Sequence, residues 1–435
     1  MLNRIKNHTL VRTFRELEGN PKWSICAEPL WFIPYSLFLP FQSLYMSKLG
    51  LSSSEIGDTI SIGFFLQMFF ALFGGIITDK MGRRLATVIF DTVSWTVPCL
   101  IWAFSQNYWW FMAAAAVNAS FQITNISWYC LFIEDCPPKH VTNAFTLTQL
   151  CGTLSVFFAP IAVWLIGKYS VVPVVRCIYL FSAVSMTVKF LLLYHFGGET
   201  EMGKKRKEET RGVSFFRLFV GYKDVFLKIL HSKKMIFVVL FMALSNISLI
   251  ATNNFFSLYI TERLHLSDEI VAVFPVIRTV IMILFVIGLQ NLINRLRMKV
   301  SILFGFLIYI LSHAILLLAP EKSIFCVLLY TLLEASAYAI IIPRKEALMA
   351  LYVDLKERSR IFALYNTCMI AISIPFGRLV GSLFDWSPVY PFLFNIGIFL
   401  LSSLLILFSR DLGRLEEDIE EDRVDAGSED AAVSV

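Results

Sequence analysis

Long apolar runs separated by short polar segments make up most of the chain between residues 30 and 410. Each run is roughly 18 to 25 residues long, the length at which an α-helix crosses a hydrocarbon layer of about 30 Å. Because backbone groups in lipid need partners within their own segment, runs of this length predict helices and exclude barrel strands. We number the predicted spans 1 to 12 in chain order, at residues 30–48, 54–78, 86–105, 109–133, 142–167, 171–194, 235–260, 268–291, 300–319, 323–343, 359–384 and 388–409.

The chain repeats itself at about half its length. "SLYMSKLGLSSSEI" (Ser43 to Ile56) matches "SLYITERLHLSDEI" (Ser257 to Ile270) in Ser-Leu-Tyr, an inner Ser and Glu-Ile. Weaker matches join "GIITDKMGRR" after span 2 to "QNLINRLRMK" after span 8, and the loop after span 4 to the loop after span 10. The repeat predicts a duplicated unit of six spans, and an even number of spans relates the copies by an axis along the membrane normal.

The polar segments divide the chain into five parts. We expect an amphipathic N-terminal segment (1–29), an N-terminal bundle (30–195), a charged linker (196–234), a C-terminal bundle (235–410) and an acidic tail (411–435). Most of the 38 Lys and Arg residues fall in the termini, the linker and the loops after even-numbered spans. Since basic residues stay in the cytoplasm, both termini are predicted to be cytoplasmic.

Composition supports a membrane protein. The chain is 57% hydrophobic and only 16% charged, with a mean hydropathy of +0.67. The net charge of +5 follows from the topology and indicates no nucleic-acid partner. The eight Cys show no CxxC spacing, so neither a metal site nor a disulfide is expected. No phosphate-binding loop, HExxH or GxSxG pattern is present, so neither a cofactor nor an enzyme activity is predicted.

One loop carries a specific motif. The segment "GGIITDKMGRR" between spans 2 and 3 resembles the GxxxD(R/K)xGR(R/K) signature of the major facilitator superfamily. The matching residues are Gly75, Asp79, Lys80, Gly82, Arg83 and Arg84. The resemblance covers residues 30–410 and implies an all-α fold of twelve transmembrane helices in two pseudo-symmetric six-helix bundles.

In that family the motif stabilises the outward-facing state as a cytoplasmic latch. Here the resemblance implies that Asp79 joins the start of span 11 and that Arg83 joins Glu134 or Asp135. The corresponding loop of the second half contributes Asp354 and Arg358. The alternative is that the basic residues only determine topology.

Polar side chains deep in a span are costly, so they indicate a function or a packing hydrogen bond. Spans 1, 4, 7 and 10, the first and fourth of each half, carry them on single helical faces. In the superfamily these helices line the central cavity. The candidate solute-binding residues are Tyr35, Gln42, Asn118, Gln122, Asn125, Asn246, Asn253, Tyr330, Glu334 and Tyr338. For any single amide, an interhelical hydrogen bond is the competing interpretation.

Glu334 lies about 16 Å into span 10, near the bilayer midplane. Arg278 lies at similar depth in span 8. The two could form a structural ion pair, or Glu334 could load a proton or bind a cationic solute. We take Glu334, Arg278 and Asp91 as candidate coupling residues. Lys189 is expected to extend towards the cytoplasm.

The leading hypothesis is a monomeric secondary transporter in the plasma membrane that works by alternating access. It would carry a small organic solute and be coupled to protons or another cation. Amide and aromatic linings favour a sugar-like solute. The alternatives are a multidrug or metabolite exporter and, from another class, a transporter-like receptor or scaffold.

Overall fold

The computed structural model describes residues 9–137, 140–214, 231–288, 296–352 and 358–409, with every side chain there except those of residues 9, 142, 234, 286–288 and 346–366. The regular structure in these ranges is helical. The α-helices are Thr9–Glu16, Gly19–Ala27, Pro29–Phe38, Gln42–Lys48, Ser53–Met81, Arg83–Asp91, Val97–Phe104, Tyr108–Asn118, Phe121–Glu134, Val141–Ser155, Ala159–Tyr169, Val171–Phe196, Glu201–Glu209, Lys233–Leu258, Val273–Gly288, Met298–Leu317, Ile324–Tyr352, Arg358–Trp386 and Tyr390–Phe408. The acidic tail predicted at 411–435 lies outside the described residues.

Each predicted span falls on helix, which confirms the all-α membrane fold. Within the described ranges, nine helical stretches are long and apolar enough to cross a membrane. Two of them, Arg83–Phe104 and Asn143–Tyr169, join two helices through a π-helical or a 3₁₀ turn. Spans 1 and 4 are instead built from shorter helices in series. Span 1 breaks at a 3₁₀ turn over Leu39–Phe41 that contains Pro40, and span 4 breaks between Asn118 and Phe121. Proline removes a backbone donor and clashes with the preceding turn, which accounts for the break in span 1. Span 8 is described only to Gly288.

The sequence repeat corresponds to a repeated contact. The Tyr45 hydroxyl in span 1 donates to the carbonyl oxygen of Trp102 at the end of span 3, at 2.8 Å. The Tyr259 hydroxyl after span 7 donates to the carbonyl oxygen of Leu316 at the end of span 9, at 3.1 Å. Both tyrosines are almost fully buried. Each half therefore fastens its first helix to its third in the same way.

The molecule has two ends. We call the end that carries residues 9–28 and the linker segment 197–214 the linker face, and the other end the opposite face. At the opposite face, spans 2 and 11 cross closely. A Cβ added to Gly377 would lie 2.8 Å from the carbonyl oxygen of Gly57, and one added to Gly381 would collide with the backbone of Ser53. Gly377 and Gly381 form a GxxxG pair, which lets two helix backbones meet.

Polar contacts between the halves also lie at the opposite face. Asp385 accepts hydrogen bonds from the backbone N–H groups of Ser53 and Ser54, each at 2.9 Å, at the N-terminus of span 2. Asp58 contacts the Arg378 guanidinium, and the Lys48 ammonium lies 2.8 Å from the Asp268 carboxylate. The opposite face is therefore held closed.

Candidate functional site

An ion pair lies inside the C-terminal half. Arg278 of span 8 donates from Nη2 to Oε1 of Glu334 in span 10, at 2.9 Å. Its Nε lies 2.8 Å from Oε2, although the N–H does not point along that line. Glu334 is 3% exposed, whereas the Arg278 side chain is 27% exposed. The guanidinium stacks over the ring of Tyr338, 4.4 Å from its centroid. The pair is thus buried on its acidic side and reachable on its basic side.

Tyr330, the third candidate on span 10, lies elsewhere. It is 2% exposed, stacks on Phe256 at 5.2 Å between ring centroids, and meets the ring of His313 at 5.5 Å. His313 in turn contacts Asn395, whose amide donates to the carbonyl oxygen of Ser248 at 3.0 Å. Tyr330 therefore packs in the interior of the C-terminal half.

Three of the predicted amides make hydrogen bonds to neighbouring spans. Asn118 donates to the carbonyl oxygen of Ser94 at 2.7 Å. Gln122 donates to the side chain of Gln67 at 3.3 Å. Asn246 donates to the Ser373 hydroxyl at 2.9 Å. Each contact is the interhelical hydrogen bond that was the alternative interpretation to solute binding for that amide.

The side chains of four other candidate solute-binding residues are not buried. Asn125 and Asn253 are exposed, and Gln42 is half-buried. Asn125 makes one long contact, 3.5 Å to the side chain of Gln122. Tyr35 is half-buried and stacks on Trp31, with ring centroids 4.6 Å apart. Spans 1, 4 and 7 therefore retain an amide and aromatic surface that a solute could contact.

A second charged cluster, in the N-terminal half, contains the predicted Asp91 together with Lys189 and with Glu28, which was missed from sequence. Lys189 does not extend towards the aqueous phase, so that expectation is wrong. Its ammonium lies 2.9 Å from Oε1 of Glu28, and both side chains are buried. Asp91 interacts electrostatically with both. The predicted span 1 began at residue 30 and so did not include Glu28. An acidic residue directly before an apolar run was the sequence feature that could have indicated a buried charge there.

At the linker face, Arg83 connects two spans. Its Nη1 lies 2.6 Å from Oδ1 of Asp79, and its Nη2 lies 3.2 Å from Oε1 of Glu134. Arg83 is buried although it is charged, and both carboxylates lie within ion-pair distance of its guanidinium. Asp135 does not reach Arg83. It accepts a hydrogen bond of 2.5 Å from Asn20, and burial raises the pKa of its carboxyl.

The remaining motif residues contribute a backbone conformation or make contacts with the linker and span 6. Gly82 has φ 90°, a conformation that favours glycine. Glu199 of the linker accepts hydrogen bonds from the N–H groups of Arg83 and Arg84, so a carboxylate caps this helix N-terminus. The Arg84 side chain donates to the carbonyl oxygen of Tyr194 in span 6. Thr200, next to Glu199, contacts Glu134.

Gly74, the neighbour of the motif glycine Gly75, allows span 4 to pack closely against span 2. A Cβ added to Gly74 would lie 2.8 Å from Cδ1 of Ile126. Asp354 and the side chain of Arg358 lie outside the described part of the chain, so the predicted contact between Asp79 and the start of span 11 stays a prediction.

The latch role of the Arg83 contacts can be tested at Asp79. Replacing Asp79 with Asn removes one of two charges that compensate Arg83 and weakens a charge-assisted contact worth roughly 1.5–3 kcal/mol. We expect the transport rate to fall about 10-fold or more while solute affinity stays unchanged. Arg12→Gln, at an exposed position of the same face, serves as control. A changed range of bound solutes in Asp79→Asn would contradict the latch.

A cleft at the linker face is separate from these sites. It has a volume of about 550 Å³ and is lined by Lys80, Lys204, Lys207, Glu208, Thr210, Arg211 and Gly212. The cleft lies between the end of span 2 and the docked linker, where the Lys80 ammonium donates to the carbonyl oxygen of Val213 at 2.7 Å. It contains none of the predicted solute-binding residues.

Comparison with known proteins adds independent information. A family model described as the Major Facilitator Superfamily matches residues 30–343. Among solved structures, a mutant of the nucleoside transporter NupG matches with a TM-score of 0.72 at 14% identity, over 90% of this chain and 100% of that chain. A POT family transporter in complex with 5-aminolevulinic acid gives 0.69 at 14% identity, over 92% and 99%.

The human organic anion transporter MFSD10 matches with a TM-score of 0.62 at 13% identity, over 89% of this chain and 98% of that chain. No curated protein matches the sequence. At these identities the solved structures show a shared fold alone, whereas the family model covers well over half of the chain.

Proposed function

This chain belongs to the major facilitator superfamily, and we propose that it carries a small, neutral, hydroxyl-bearing organic solute, driven by a gradient of protons or another cation. Members of this family are multi-pass membrane proteins that work as secondary transporters, not as enzymes. The proposal concerns the finer points: the kind of solute, the driving ion and the residues involved.

The main support for a neutral solute is the charge balance of the Arg278–Glu334 pair. One guanidinium is matched by one carboxylate, so the pair has no net charge with which to attract an anion or a cation. A solute hydroxyl could accept a hydrogen bond from the reachable Arg278 guanidinium, which suits a neutral polar solute. A lipophilic cation would instead need an unmatched carboxylate. We therefore place a multidrug exporter second.

The lining of the N-terminal half supports the same solute class. The stacked rings of Trp31 and Tyr35 offer an apolar face, and the edge of Trp95 meets Tyr35 at 5.8 Å between centroids. Exposed amides at Asn125 and Asn253 offer donors and acceptors. Rings combined with amides fit the apolar and hydroxyl-bearing sides of a sugar or a nucleoside.

The closed opposite face supports alternating access, because a transporter must seal one end while the other is open. The Asp385, Asp58 and Lys48 contacts make that seal here. We further propose that the linker face is cytoplasmic, that the membrane is the plasma membrane and that the protein works as a monomer. The concentration of basic residues at the linker face supports the orientation.

Solute exchange in proteoliposomes tests the proposed class. Purified protein would be reconstituted with one unlabelled compound inside, and uptake of the same labelled compound would be followed. We expect counterflow with at least one neutral sugar or nucleoside and none with a dipeptide, an organic anion or a lipophilic cation. Protein-free liposomes give the background.

Two other outcomes would favour the alternative functions. If every sugar and nucleoside fails to exchange while a lipophilic cation exchanges and raises the melting temperature of the protein, the exporter alternative replaces the proposal. If no compound exchanges although the protein is folded, the receptor or scaffold alternative gains support.

A further inference from the structure

Three charged side chains converge where spans 1, 3 and 6 meet in the N-terminal half. Glu28 and Asp91 are each 4% exposed and Lys189 is 5% exposed. Glu28 and Lys189 are in direct contact, and Asp91 interacts electrostatically with both. We call these three residues the buried triad. A buried charge is tolerated only when it is paired, so the charge balance of the triad determines its chemistry.

The triad has one more acid than base. With all three groups ionised, two carboxylates face a single ammonium, which leaves a net charge of −1 in a buried site. Among the described residues, Lys189 is the cation that interacts with Asp91. Thr124 of span 4 places a buried hydroxyl near Asp91 without reaching hydrogen-bond geometry. The Cys151 thiol of span 5 lies near Glu28 and near the Cys26 thiol. The ring of Trp31 lies 5.7 Å from the Lys189 ammonium.

One bound proton removes the imbalance. If a single proton is held by either carboxyl, the triad contains one neutral acid, one carboxylate and one ammonium, and no net charge remains. The Arg278–Glu334 pair differs in this respect, since its charges match without a proton. We infer that Glu28, Asp91 and Lys189 form a proton-binding site that holds one proton.

The position of the triad connects it to the aromatic surface. Asp91 ends the helix Arg83–Asp91, and the next turn, Thr92–Thr96, is a wider π-helical turn. Such turns are frequent at functional sites. Trp95 lies in this turn and meets the ring of Trp31 at 4.9 Å between centroids. A proton leaving the triad for water would change the charge next to Trp31. That this proton drives solute movement rests on the proposed function.

Infrared spectroscopy can detect the proton without any solute. A buried neutral carboxyl has a C=O stretch separate from that of a carboxylate, and this band shifts in D₂O when the proton exchanges. In wild-type protein in lipid nanodiscs at neutral pH we expect such a band, and raising the pH should remove it. Asp91→Asn and Glu28→Gln should each lose the band, because each leaves one carboxylate paired with Lys189.

Two further variants sharpen the test. Glu334→Gln should keep the band, since Glu334 lies outside the triad and is paired one to one with Arg278. Lys189→Met should increase it about twofold, because both carboxyls are then neutral. If Lys189→Met does not fold, the Asp91 and Glu28 variants carry the test alone. A wild-type band that survives in both, or no band in wild-type protein, would overturn the proton-binding site.

The coupling role has its own readout. Once an exchanged solute is known from counterflow, its accumulation under a pH gradient is measured for Asp91→Asn. We expect accumulation to be lost while counterflow without a gradient is retained. Failure of counterflow in wild-type protein would count against the proposed solute class and leave the infrared result for the triad intact.

Discussion

Replacing Glu334 with Gln is expected to abolish transport of the solute against its gradient. Arg278 would keep its position in span 8 but lose its only charged partner in span 10. Breaking a buried ion pair by removing one partner costs about 3–5 kcal/mol, and the partial exposure of Arg278 favours the lower end. Accumulation in proteoliposomes under an imposed pH gradient measures the effect. The variant should still reach the membrane, because the twelve apolar spans are unchanged.

Matched variants separate charge from packing. Arg278→Gln combined with Glu334→Gln removes both charges, so stability should recover towards that of wild-type protein while transport stays lost. Glu321→Gln, at an exposed position of the opposite face, should transport normally. Unchanged accumulation by Glu334→Gln at every pH would show that the pair does not take part in solute coupling.

Replacing Gly381 with Leu is expected to stop the transport cycle by keeping the opposite face open. A Cβ at Gly381 already collides with the backbone of Ser53, so a leucine has no room while spans 2 and 11 are in contact. We expect loss of transport together with increased reactivity of a cysteine placed at Ser54. Labelling with a membrane-impermeant thiol reagent from the side of the opposite face measures this change.

The fold offers a close control for this experiment. Gly397 lies in span 12, and a Cβ there meets nothing within 4 Å. Gly397→Leu adds the same side chain and should leave both transport and Ser54→Cys labelling unchanged. Normal transport by Gly381→Leu would mean that spans 2 and 11 do not need this close crossing.

Local features of the sequence predicted the fold well. The length of the apolar runs identified the helices, and the Ser-Leu-Tyr repeat placed Tyr45 and Tyr259 at equivalent positions. The spacing from Asp79 to Arg83 is one helical turn, and the structure shows these side chains in contact. In each case the information lies within a few residues along the chain.

Features that depend on helix rotation or on distant partners were less predictable. Whether an amide faces a neighbouring span or open space depends on a rotation of a few tens of degrees, which separates Asn246 from Asn253. The contact between Glu28 and Lys189 joins spans 1 and 6, and neither residue alone indicates its partner. Gly57 and Gly377 likewise meet only because the two halves dock.

The paired tyrosine contacts also bear on how the two copies diverged. Each hydroxyl binds the first helix of its bundle to the end of the third helix, so both bundles contain the same internal hydrogen bond. The loop after span 2 kept its glycines and acid, whereas the loop after span 8 lost them. Both halves therefore share this helix-to-helix contact, whereas the motif occurs in the first half alone. We expect each half to move as a rigid body, with conformational control concentrated in the N-terminal half.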